Sequence, residues 1–305
     1  MSAIKALCLE IVDYAGLFPP ASLPLETVVT NYENYLCGDN RWMLSRLILP
    51  VSKLEQFEQQ AAFNNSKQIW KISGLIPSVD AADNGFENAI QAISEFNSKH
   101  ASPQRAIIDT VEVKTPTVEL LNETIKRLPE TINGFLEIPH HDAPVDFIKA
   151  IKDSGAGNAF AKIRTGGVKA ELIPDPFLVA RFIRCCADHD VGLKATAGLH
   201  HPLRGEYRLT YDPQPDSGTM FGFANVFLAA SFAFSSDMNI EQLQQILTEQ
   251  DAKAISINDE TVTWKDHILR AEEIKRIRST KSISFGSCSF DEPTTELQQL
   301  GWLGK

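Results

Sequence analysis

Two short apolar runs, Phe160–Arg164 and Val191–Thr196, each carry one lysine in the middle, Lys162 and Lys194, and each leaves through glycine. Between them, Pro174–Asp190 places Phe177, Leu178, Ala180, Phe182, Ile183 and Ala187 at helical spacing, with proline suited to the first turn. The stretch therefore reads strand–loop–helix–strand, a right-handed crossover between parallel strands. A parallel strand is covered on both faces, so a central lysine has to be paired or to face a site. Alternation puts Phe160, Lys162 and Arg164 on one face and Ala161 and Ile163 on the other, while Lys194 and Thr196 share a face on the next strand. The cations are expected to point into a barrel mouth, with the small residues packed under helices.

The rest of the chain repeats this rhythm. Strands are predicted near Ile11–Tyr14 and at Met43–Val51, Gln68–Leu75, Arg105–Val113, Ile132–Ile138 and Ser282–Phe285, with helices between them. Eight strands in alternation indicate a (β/α)8 TIM barrel, one domain over 1–305. A long insertion, 199–281, precedes the last strand. Within it, helices are expected at Thr219–Phe234, Ile240–Gln250 and Asp266–Arg278, and a hairpin at Ala254–Trp264. The tail 291–305 should pack on the barrel through Trp302.

Charge and cysteine use narrow the class of function. A net charge of −10 argues against a nucleic-acid surface. The five cysteines show no C-x-x-C spacing, which suggests reduced thiols and a cytoplasmic protein. Met220–Phe234 is the most apolar run and too short to span a bilayer. No membrane partner and no cofactor are expected; a homo-oligomer is left open.

Strand ends of a barrel carry its chemistry. They are predicted to present Lys162, Lys194, Asp109 and Glu137, where a lysine beside other cations has a lowered pKa and a carboxylate moves protons. Glycine turns at Thr165–Gly166, Gly198 and Gly286–Ser287, with Arg164 and Arg204, suit a small anionic metabolite. Asp13 is either a site carboxylate or a turn cap. A ring of buried ion pairs without chemistry is the competing reading of the same set.

K-I-R-T-G-G at Lys162–Gly167, L-K-A-T-A-G at Leu193–Gly198 and F-G-S-C-S at Phe285–Ser289 resemble three strand motifs of the class I aldolases of the deoxyribose-phosphate aldolase type. The resemblance implies a lyase in which Lys162 forms a Schiff base, Lys194 is its cationic neighbour, Asp109 relays protons, and Gly198, Gly286 and Ser287 bind phosphate. Arg164 stands where that family has a small residue, and the insertion has no counterpart there. The whole chain also resembles a family of uncharacterised bacterial proteins with D-Y-A-G-L-F-P-P-A (Asp13–Ala21) and S-F-G-S-C-S-F-D-E-P (Ser284–Pro293). Two alternatives stand beside the aldolase-like enzyme. One is a metal-dependent hydrolase using His140, His141, His200 and His201. The other is a non-catalytic barrel that binds an anionic metabolite.

Overall fold

The computed structural model describes residues 1–61, 63, 68–79, 84–140 and 144–303. Seven parallel strands follow one another: β1 (Val12–Tyr14), β2 (Leu44–Pro50), β3 (Trp70–Leu75), β4 (Ala106–Lys114), β5 (Asn133–Glu137), β6 (Ala159–Arg164) and β7 (Leu193–Thr196). A hairpin, β8 (Gly205–Arg208) and β9 (Ser217–Met220), comes next, and then a three-stranded antiparallel sheet of β10 (Ile255–Ile257), β11 (Thr261–Trp264) and β12 (His267–Arg270). β13 (Ser282–Ser287) lies between β7 and β1 and closes an eight-stranded parallel barrel, the predicted TIM-barrel fold.

Local chemistry explains the predicted crossover. The helix after β6 runs Pro176–Asp188. The Asp175 side chain caps it by accepting from the Phe177 amide at 2.8 Å, and Pro176 sits where no amide partner is needed. Val179, Ala180, Ile183 and Cys186 are buried toward the sheet side, where Ala161 and Ala195 leave room for close packing.

The insertion holds the expected helices and hairpin, together with the strand β8 in a stretch whose prolines and glycine suggest a loop. Phe223–Ser235 is a helix apolar on every side because it packs against the helices Pro176–Asp188, Ile240–Thr248 and Ala271–Thr280 and against β13. Among the described residues no helix is long and apolar enough to cross a membrane. The expected helix start at Thr219 gives way to β9, which pairs with β8. The expected helix Asp266–Arg278 begins only at Ala271. Its first residues form β12, turned back at Lys265 (φ 52°) so that Trp264 pairs with His267. Sheet pairing outweighs the charge periodicity there. The tail forms the helix Asp291–Gln299, with Leu297 buried and Trp302 packed on the core.

The loops after β6 and β7 touch. A Cβ on Gly166 would lie 3.0 Å from the Gly198 Cα, and the reverse holds for Gly198, whose φ is 72°. Gly198→Ala therefore adds both a close contact and a left-handed alanine. The variant is expected to lose about 1–2 kcal/mol of unfolding free energy in urea denaturation; an unchanged midpoint would show that this loop pair is free to adjust.

Candidate active site at the barrel mouth

Inward-facing positions build the centre. Phe160 and Phe135 pair at 5.3 Å between ring centroids in the lower part of the barrel. Above them Lys162 and Lys194 are register partners on β6 and β7. Lys162 Nζ lies 2.8 Å from both Glu112 Oε2 and Glu137 Oε2. Lys194 Nζ lies 2.8 Å from Glu112 Oε1 and bonds Asp13. Ser73 Oγ donates to Glu112 at 2.9 Å, and Ser284 Oγ to Asp13 at 2.6 Å. The Arg46 amide donates to the other Asp13 oxygen at 2.9 Å. The result is a continuous chain, Asp13–Lys194–Glu112–Lys162–Glu137, with three carboxylates for two ammoniums. Glu112, Lys162 and Lys194 are 1%, 4% and 0% exposed, so water screens these interactions weakly.

Burial is the largest influence on Lys162 and disfavours its charge. The Glu112 and Glu137 carboxylates together outweigh burial and raise Lys162 above the ordinary lysine value. Burial likewise opposes the charge on Glu112, and the two ammoniums overcome it, holding Glu112 far below the usual carboxylate range. This overturns the expectation of a lowered lysine pKa. Lys194 does not act on Lys162 as a bare neighbouring cation, because Glu112 stands between the two ammoniums and bonds both.

A cavity of about 340 Å³ opens above the chain at the C-terminal ends of the strands. Lys162, Glu112 and Glu137 reach it, whereas Lys194 lies beneath. Arg164 and Lys114 also line it, and neither forms an ion pair with a described residue. Phe18, Leu75, Leu172 and Met220 supply an apolar side. A larger groove of about 1210 Å³ runs outside the barrel near the helices Val118–Arg127 and Pro144–Asp153, but none of the buried ion-pair residues reaches it.

The other predicted residues divide. Gly198 and Gly286 line the cavity; Gly166 serves the loop contact. Thr165 is buried and pins the β7 exit, its Oγ1 donating to Ala197 O at 2.8 Å. Ser287 Oγ lies 3.5 Å from His200 Nδ1. Arg204 turns away, with its guanidinium 4.7 Å over the Phe221 ring. Asp109 sits toward the other end of β4, held by Arg46 through two bonds of 2.7 and 2.8 Å.

The predicted histidine set does not converge. His140 bonds the Arg164 carbonyl, and His201 pairs with Glu296 at 2.6 Å and stacks on Tyr207. His200 faces Glu292 and Cys288, while His141 lies outside the described residues. Among the described residues no three His, Cys, Asp or Glu side chains are arranged to hold a metal ion.

Glu112, which the sequence reading did not place in the site, reaches the cavity through one irregularity. Ile72 pairs with Ile108 but Ser73 with Thr110, so Asp109 is an extra residue in β4. Alternation restarts after this bulge, and Thr110, Glu112 and Lys114 share the inward face. The sequence offers no local mark of the bulge. Asp13 carried a signal, an acid at a strand end, that did not separate a site carboxylate from a turn cap.

No protein-family model and no curated protein matches the chain. Among solved structures it is similar to a lysine/ornithine decarboxylase complexed with cadaverine from Vibrio vulnificus. That match has 10% identity and a TM-score of 0.35 and covers 64% of this chain and 48% of the other, so this chain spans about half of that structure's length.

Removing Glu112's charge takes from each buried ammonium one of its two carboxylate partners. Glu112→Gln is expected to lower stability at pH 7 by about 3–5 kcal/mol, measured in urea. The linkage has a definite sign. A carboxylate depressed on folding contributes stability above its unfolded value, about 4.3, which is lost as pH falls below it. Lys162, being raised, contributes below about 10.4, and that part is lost as pH rises further. Wild type should therefore lose more stability than Glu112→Gln between pH 6 and pH 3. Equal losses would show that Glu112 does not carry the acid sensitivity.

Proposed function

We propose that this barrel is an enzyme acting on a small anionic carbonyl compound, with Lys162 as the group that activates the carbonyl. The observation that carries this is the Lys162–Glu137 pair. A buried ammonium and a carboxylate 2.8 Å apart face one cavity whose rim holds Arg164 and Lys114, neither of which forms an ion pair with a described residue. Those rim cations suit a carboxylate or phosphate on the substrate. The Lys162 ammonium donates to the substrate carbonyl oxygen. Glu137 then removes a proton from the adjacent carbon. The C–H electron pair moves toward the carbonyl, and the oxygen takes negative charge beside Lys162, where a preorganised donor in a dry site is most effective.

A second reading is the lyase chemistry implied by the aldolase-like motifs, in which Lys162 forms an imine. The register pairing of Lys162 with Lys194, and the access of Lys162 alone of the two to the cavity, favour it. In that route Glu137 must first take the Lys162 proton, against the raised pKa of the lysine.

One experiment separates the two. Short 2-oxo acids and phosphorylated aldehydes are screened for thermal stabilisation, and the stabilising ones are tested for exchange of the proton next to the carbonyl in D2O. Lys162→Met is expected to slow exchange by about 10²–10³-fold. Lys162→Arg keeps part of it if the ammonium acts as such. Loss of all exchange in Lys162→Arg, together with a borohydride adduct on Lys162 in wild type, assigns the imine route. A screen with neither stabilisation nor exchange overturns the proposal.

A further inference from the structure

The wall of the cavity beyond β7 carries a cluster that the Lys162 chemistry does not use. Cys288 follows β13 and is 5% exposed, and both it and His200 line the cavity. Cys288 Sγ lies 3.8 Å from His200 Nδ1. Glu292 Oε2 lies 3.2 Å from the same nitrogen. Tyr211 reaches in from the β8–β9 hairpin, with its hydroxyl 3.7 Å from Cys288 Sγ and 2.9 Å from Glu292 Oε1. A second recess behind them is lined by His200, Tyr211 and Glu292. Thiol, imidazole, carboxylate and phenol thus meet where two recesses share a wall.

We infer that Cys288 and His200 form a nucleophilic thiol–imidazole pair that captures a small aldehyde in the barrel-mouth cavity. The sulfur bonds to the carbonyl carbon, and the C=O π pair moves to oxygen. His200 gives that oxygen a proton and regains one from the thiol, so the product is a neutral hemithioacetal and no oxidant is needed. His200 is fit for this. Burial works against its charge, but Cys288 and Glu292 outweigh it and raise it to about 9, so it is an imidazolium at neutral pH. Burial pushes the other interior thiols the opposite way from reactivity: Cys8 to about 12, Cys185 to about 11 and Cys186 well above the ordinary thiol value. Cys185 also has an imidazole nitrogen, from His189, 3.9 Å away, but it lies on a helix outside the barrel and lines neither recess. This inference does not depend on what Lys162 does.

The chain contains its own reference, because Cys37 is exposed. Iodoacetamide is applied to the full-length protein at pH 7 and each cysteine is followed by peptide mass spectrometry. The sulfur–carbon bond forms, and iodide leaves with the carbon–iodine pair. Cys288 is expected to react at least about tenfold faster than Cys37 despite its burial. His200→Asn keeps an N–H toward Glu292 but cannot ionise, and it should bring the Cys288 rate to or below that of Cys37. Modification of Cys8 or Cys186 in the variant would reveal unfolding, in which case the wild-type comparison decides. The charged or titratable groups facing the pair are Glu292, Tyr211 and, across from Cys288, Tyr14, with His201 beyond Glu292. Within that set the Cys288-to-Cys37 rate ratio falls as pH rises through about 9, where His200 loses its charge. Glyoxylate, an anionic aldehyde, protects Cys288, whereas acetate at the same concentration does not. A Cys288 no faster than Cys37, a ratio that grows with pH, or equal protection by acetate overturns the inference.

Discussion

Glu112 holds the barrel centre together. Each of its oxygens bonds a different lysine, and without it Lys162 and Lys194 would be two like charges on register-paired residues with little water between them. Barrel interiors are ordinarily filled by layers of branched apolar side chains. Here the aromatic layer of Phe135 and Phe160 lies below, and a charged layer takes over above it. Such a layer is stable only when every member is satisfied. Ser73, Ser284 and the Arg46 amide therefore matter as much as the ions themselves, because they complete the lone pairs on Glu112 and Asp13.

The same layer divides the two lysines by role. Lys194 is sealed between Asp13, Glu112 and the face of Phe135, whose ring centroid is 5.2 Å from Nζ. Its charge is fixed in place and cannot meet a ligand. Lys162 reaches the cavity and shares its second carboxylate, Glu137, with it. A buried ammonium with one partner facing solvent space can change partners when a ligand arrives, which a fully enclosed pair cannot. The acid–base reading of the Lys162–Glu137 pair rests on that difference in depth.

The strand-end rule located the cavity from sequence, and alternation oriented β6 and β7 correctly, because apolar runs with one central lysine leave little choice of face. The (β/α)8 topology was legible for the same reason: strand and helix periodicities differ and alternate along the chain. Asp109 failed as a cavity residue because it lies toward the other end of β4, and Glu112 reaches the cavity because one extra residue in β4 reverses the faces beyond it. A bulge is a pairing event between two strands, and no property of β4 alone announces it. The hairpin Ala254–Trp264 was read correctly, but β9 and β12 were missed likewise. β9 and β12 exist because β8 and β11 are there to pair with them.

By itself the sequence determined the barrel, the direction in which Lys162, Arg164 and Lys194 point, and the end of the barrel where the cavity opens. Each of these follows from local periodicity and the cost of burying a charge. Only the tertiary structure decided which charges meet. The partners of Lys194 are Asp13, 181 residues away, and Glu112, 82 residues away. That decision set the sign of the Lys162 shift, since the Coulomb energy of a buried ion depends on separations of a few ångströms that alternation patterns do not specify. It likewise brought Cys288 to His200 across 88 residues, joining a strand exit to a loop that the sequence showed only as two histidines and a proline.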